Sequence, residues 1–150
     1  MLILAVLAII KIKGTAISEM INLSDAIKIP TIANRDESLV DWTPFDEFHA
    51  LLEKAYPLMH ENLDKQIIST RSLLYHWKSD HPEKEPIALL SHQDVVPVTP
   101  GTEDDWKYPA FSGEVAEGFL WGRGAIDMKN HLIGVCEAVE TLLEEGYKPE

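Results

Sequence analysis

The run Pro86-Ile87-Ala88-Leu89-Leu90 constrains the fold of this chain more than any other segment. Ile87 to Leu90 are apolar at every position, so neither face of an extended chain suits water. Such a run fits a central strand covered on both sides. A mixed sheet flanked by helices, an α/β architecture, supplies both covers. The run leads into Ser91-His92-Gln93-Asp94-Val95-Val96-Pro97-Val98. Alternation along a strand puts His92 and Asp94 on one face. The Asp94 carboxylate can then hold one imidazole nitrogen while the other faces a metal. Open α/β sheets carry their sites just beyond the carboxyl ends of strands, where this triplet lies. A His-x-Asp pair is common, however, and Asp94 can equally end a strand or form a salt bridge.

Helical patterns surround this segment. Ile17, Met20, Ile21, Leu23 and Ile27 mark an imperfect helical face, which Pro30 ends. Residues 33–42 read as a loop. Thr43-Pro44 opens a second helix, with Thr43 as cap, Asp46 near its positive end and a stripe of Phe45, Phe48, Leu51, Leu52 and Ala55. Pro57 ends or kinks it, with a further turn reaching Leu63. Gln66 to Lys78 favours one or two strands, and His81 to Pro86 a polar turn. Phe111–Val115 and Phe119–Trp121 pair as a hairpin turning at Glu117-Gly118. Met128 to Glu145 forms a long helix with Met128, Leu132, Val135, Cys136, Val139, Leu142 and Leu143 inward and Gly146 as its cap.

Asp127 stands immediately before that helix, where aspartate commonly caps. Gly122 and Gly124 allow a tight path around Arg123, which is either structural or faces an anion; the pattern lacks the third glycine of a dinucleotide fingerprint. His131 reads as a surface residue, and His49, His60, His76 and His81 show no ligand spacing. Trp106, Pro109 and Phe111 read as packing under a loop. A formal charge of −12 argues against nucleic acid as a partner. Cys136 is the single cysteine, so any metal must rest on His and carboxylate ligands, and its apolar helical face places it in the core. Met1 to Ile10 carry no polar side chain but are too short to span a bilayer. They read as a truncated anchor or signal, a buried N-terminal element, or a mis-set start. Anchoring or export is favoured over a cytoplasmic location.

Taken together, these motifs resemble the metal-dependent peptidase family of carboxypeptidase S, carboxypeptidase G, aminoacylases and succinyl-diaminopimelate desuccinylase. The resemblance rests on Leu89 to Val98, on Trp106 with Pro109 to Gly113, on Gly118 to Lys129 and on Glu137 to Gly146. Leu23 to Ile27 with Pro30-Thr31 add to it, and the carboxypeptidase S-like branch is nearest. The likeness implies the N-terminal portion of a zinc-exopeptidase catalytic domain over residues 15–150, following an apolar segment 1–14. It implies His92 as ligand of one zinc, Asp127 as a carboxylate bridging two zincs, and Asp94 as the active-site residue orienting the histidine. A non-proline cis peptide is expected at Asp127–Met128. The reaction implied is hydrolysis of an amide bond in dipeptides, peptide C-termini or N-acyl amino acids, by a parent enzyme that can be a homodimer. A water polarised by both ions and deprotonated by a glutamate would attack the carbonyl. That glutamate, the remaining ligands and a dimerisation or lid domain have no counterpart in this sequence, so the chain alone is expected to be inactive and to bind zinc weakly. The alternative is a non-catalytic interaction or regulatory domain that retains the fold segment.

Overall fold

In the computed structural model, residues 15–150 are described, and the apolar segment 1–14 lies outside the described residues. Among the described residues four α-helices form the body: α1 (Thr15–Lys28), α2 (Thr43–Ala55), α3 (Pro57–Asn62) and α4 (Lys129–Glu144). Four short strands accompany them: β1 (Asp64–Ile68), β2 (Ser72–His76), β3 (Glu114–Ala116) and β4 (Phe119–Trp121). They pair as two antiparallel hairpins, β1–β2 with Gln66 opposite Leu74 and β3–β4 with Val115 opposite Leu120. Parallel pairing enters at an isolated bridge between Ile32 and Val95. The fold is α/β, with helices packed against small sheets.

The core follows the helical stripes. Phe48, Leu52 and Tyr56 from α2 and its end meet Met59 of α3, Ala26 of α1, and Ile133 and Cys136 of α4. Leu73, Tyr75 and Trp77 bring the β1–β2 hairpin against this cluster. α2 does not use Thr43 as its cap. Trp42 holds that position, and the Asp41 carboxylate accepts the Thr43 N–H at 3.0 Å, so the oxygen comes from two residues earlier than expected. Pro57 starts α3 rather than merely bending α2. Gly146 ends α4 as expected, with φ of +74° and with its N–H and that of Tyr147 bonded back to Leu143 and Leu142.

The expected central strand does not form. Ile87 to Leu90 carry no ladder, and Ile87, Leu89 and Leu90 are 90%, 66% and 81% exposed. A strand needs neighbours to satisfy its peptide groups, and no described segment lies alongside this one. The second hairpin is shorter than expected because Gly113 sits at φ +59° with its carbonyl accepting from Ser24 Oγ at 2.7 Å, which keeps residues before Glu114 out of the strand. Its turn is as read: Glu117 and Gly118 both have positive φ, the two-residue form that suits strand twist.

Cys136 is buried in this core, and burial, with Glu137 and Glu140 nearby, pushes its thiol up to about 12. The unfolded thiol ionises near pH 9, so between these values the folded chain holds the extra proton. Stability from this group is complete below pH 9 and is lost as pH rises, by about 1.4 kcal/mol per pH unit. Cys136→Ala is expected to be less stable than the parent at pH 7.5 but to lose about 1–2 kcal/mol less between pH 8.5 and 10.5. Denaturant titrations at the two pH values check this, and parallel losses in both proteins would refute it.

Candidate metal centre

His92 and Asp127 arrive from two irregular segments that the core fixes in place. The first is pinned at Val95, which is buried, donates its N–H to Thr31 O at 2.8 Å and accepts from Ala33 N–H at 3.1 Å. The second, Gly122 to Lys129, is fastened at four points. A Cβ on Gly122 would lie 2.3 Å from Ile27 Cγ2, and one on Gly124 2.7 Å from Val95 Cγ1. Arg123 N–H donates to Ala110 O at 2.7 Å. Lys129 closes the loop from inside: fully buried, its Nζ donates to Ala26 O at 2.8 Å and Ile29 O at 2.7 Å and lies 4.9 Å from the centre of the Phe48 ring. Those carbonyls belong to the end of α1, where a cation complements the helix dipole. Desolvation pulls Lys129 down to about 8.

At the tip of this loop the Asp127 side chain is 87% exposed. It does not cap α4. Met128 occupies the cap position without a side-chain hydrogen bond, and the Asp127–Met128 peptide is cis, as the resemblance implied. The carboxylate instead faces His92, with Oδ1 3.0 Å from Nε2. On the other side of the ring, Nδ1 lies 3.1 Å from the Asp94 carbonyl and 3.3 Å from Asp94 Oδ1. Partial burial works against a protonated ring, but the contacts with Asp127 and Asp94 outweigh it and hold the His92 pKa above its usual value.

This donor set fits a cation. The protonated ring donates from both nitrogens, Nε2–H to Asp127 and Nδ1–H to Asp94; when a cation displaces the Nε2 proton, the nitrogen lone pair and the Asp127 carboxylate become two donors facing one point. Donors sharing one tetrahedral zinc at about 2.0–2.1 Å stand roughly 3.3–3.4 Å apart, a few tenths of an ångström beyond the 3.0 Å between Nε2 and Oδ1. No group of three or more His, Cys, Asp or Glu side chains able to hold a metal occurs among the described residues. His131 is exposed, as expected, and the Arg123 guanidinium lies 5.1 Å from the centre of the Trp106 ring.

Several supporting residues escaped the sequence reading. Lys129 and Glu140 share one helical face with Ile133 and Cys136, a spacing that could have flagged them as buried. His49 likewise falls on the Phe45, Phe48, Leu52 stripe of α2. Gln93, between the two site residues, points away from them by strand alternation.

Residues 88–150 match the peptidase family M20/M25/M40. The chain is 40% identical over 139 residues to carboxypeptidase S of Saccharomyces cerevisiae, covering 88% of this chain and 24% of that protein. It is 40% identical over 106 residues to the probable carboxypeptidase S-like 2 of Dictyostelium discoideum, covering 71% and 20%. Against the N-fatty-acyl-amino acid synthase/hydrolase of Xenopus tropicalis it is 34% identical over 129 residues, covering 85% and 24%. The chain belongs to this peptidase family. It spans about a quarter of the length of the curated relatives it matches. No helix among the described residues is long and apolar enough to cross a membrane.

Proposed function

We propose that the whole protein is a zinc-dependent amidohydrolase of the exopeptidase type, cleaving an amide bond in dipeptides, peptide C-termini or N-acyl amino acids. The observation that carries this reading is the convergence of His92 Nε2 and Asp127 Oδ1 to 3.0 Å, in segments that match the peptidase family. The names of two relatives, a carboxypeptidase and an N-fatty-acyl-amino acid synthase/hydrolase, support the substrate class. His92 and Asp127 would hold the metal, with Asp127 available to bridge a second ion. Zinc in such a site supplies Lewis acidity and a water of lowered pKa. Asp94 keeps the proton on Nδ1, which fixes the His92 tautomer and leaves Nε2 free to bind. Lys129 and the two glycines hold the backbone that carries Asp127.

Two ligand side chains are fewer than the three that a catalytic zinc ordinarily keeps. Residues 1–150 by themselves are therefore expected to be inactive, and the assay belongs to the whole protein, acting as a homodimer or attached to a membrane through residues 1–10. The purified whole protein should hydrolyse members of this substrate set, lose activity on chelation and regain it with added zinc. Hydrolysis that survives chelation, or that His92→Ala leaves unchanged, would overturn the proposal. Zinc binding without hydrolysis of any member would favour the non-catalytic domain.

A further inference from the structure

We propose that Gln93 and His49 act as a coupled pair of positioning residues that set the place of His92 and Asp94. This rests on the reading that His92 and Asp127 bind a metal. In an extended chain the side chain of residue 93 points opposite to those of 92 and 94. Gln93 accordingly reaches into the body of the molecule. Its Nε2 donates to Arg71 O at 2.7 Å, and its Oε1 lies 2.9 Å from His49 Nε2. Its main-chain carbonyl accepts from Thr31 Oγ1 at 2.5 Å.

These contacts are directional. A carbonyl can only accept, so Arg71 O fixes which end of the carboxamide carries nitrogen, and His49 must then donate from Nε2 to the oxygen. His49 is buried, and burial pulls its pKa below the usual value, consistent with a neutral ring in this tautomer. Both anchors trace to α2. His49 lies on it directly, and Asp46, one turn earlier, grips Arg71 with two hydrogen bonds of 2.6 and 3.0 Å.

The clamp matters because the backbone offers little else here. From Ile87 to Asp94 no residue joins a ladder, and the first bridge comes at Val95. The Val95 bridge and the Thr31 hydroxyl on the Gln93 carbonyl hold the chain just after His92, and the Gln93 carboxamide, one residue from His92, adds two side-chain contacts to them. Gln93 touches neither His92 nor Asp127 through its side chain; its effect is transmitted through the main chain.

The test is calorimetric titration of zinc alone into the full chain and its variants, with Tm measured alongside. Gln93→Met, of similar length but without the amide, should weaken zinc binding roughly tenfold, the low end of effects seen for residues that orient ligands. His49→Leu should do the same, and the double variant should lose little more than either single change. His49→Gln, which returns an N–H donor near the position of Nε2, should recover most of the affinity. Glu140→Gln should lower Tm while leaving zinc affinity unchanged, separating lost stability from lost positioning. Parental zinc affinity in Gln93→Met, while His92→Ala abolishes binding, would overturn the inference and leave the metal reading standing. Additive losses in the double variant would overturn the pairing. Zinc binding indifferent to His92→Ala would overturn the metal reading itself. If Gln93→Met fails to fold, the contrast between His49→Leu and His49→Gln decides the matter: equal affinities overturn the inference.

Discussion

Asp127→Asn is expected to lower zinc affinity at least about a hundredfold while leaving stability within about 0.5 kcal/mol of the parent. The two halves of this outcome have separate causes. Asp127 is largely exposed, caps no helix, and has a side-chain contact with His92 Nε2 at 3.0 Å. Exposed pairs of this kind contribute little to folding. Asparagine keeps the shape and one acceptor oxygen but removes the charge, which a divalent ion needs from its carboxylate ligand. Residues that merely orient ligands cost ten- to hundredfold when changed, so a ligand itself stands at the upper end or beyond. Calorimetry with zinc and a thermal melt on the same sample measure both halves. Unchanged affinity would remove Asp127 from the site, and a fall in Tm of many degrees would restore a structural role to it.

Glu140→Ala is expected to destabilise the protein by about 2–4 kcal/mol, a fall in Tm on the order of 10 °C. Glu140 is buried on α4, and its two oxygens accept the N–H groups of Leu58 and Met59 at 2.9 and 2.8 Å. Those are donors in the first turn of α3, which lack partners within the helix. Alanine would strand both donors in the core and leave a void. Glu140→Gln keeps one acceptor and should cost about half as much. The zinc-site residues lie on other segments, so zinc affinity should not change in either variant. A melt within 2 °C of the parent for Glu140→Ala would show that water replaces the carboxylate, contrary to its burial.

The contrast between these residues shows where sequence reading ended. Asp127 read most simply as a helix cap, and Glu140 fell outside the apolar stripe assigned to α4. The structure reverses both. Whether a carboxylate is buried depends on what the chain delivers to it, and the partners of Glu140 lie 81 and 82 residues away. The carbonyls that hold Lys129 are 100 and 103 residues away. Spacing within one helix indicates that positions 129, 133, 136 and 140 share a face, but it does not say that a lysine and a glutamate on that face will find partners. The apolar run at Ile87 to Leu90 failed differently. Its composition describes a strand that needs neighbours on both sides, and composition does not create the neighbours.

What the sequence determined was local. The Pro44 helix start, the Glu117-Gly118 turn and the Gly146 helix end follow from backbone freedom at those residues and their near neighbours. Likewise, the His92-Gln93-Asp94 alternation sorts the side chains onto opposite faces before any tertiary contact forms. The ordered motifs also carried the family resemblance. Only the tertiary structure brought Asp127 to His92 across 35 positions, freed Asp127 from capping, and placed His49 behind Gln93. The reason is physical: short-range torsional and hydrogen-bond preferences act within a few residues. The meeting of distant polar groups is decided by how the helices pack and by which buried donors and acceptors must then be satisfied.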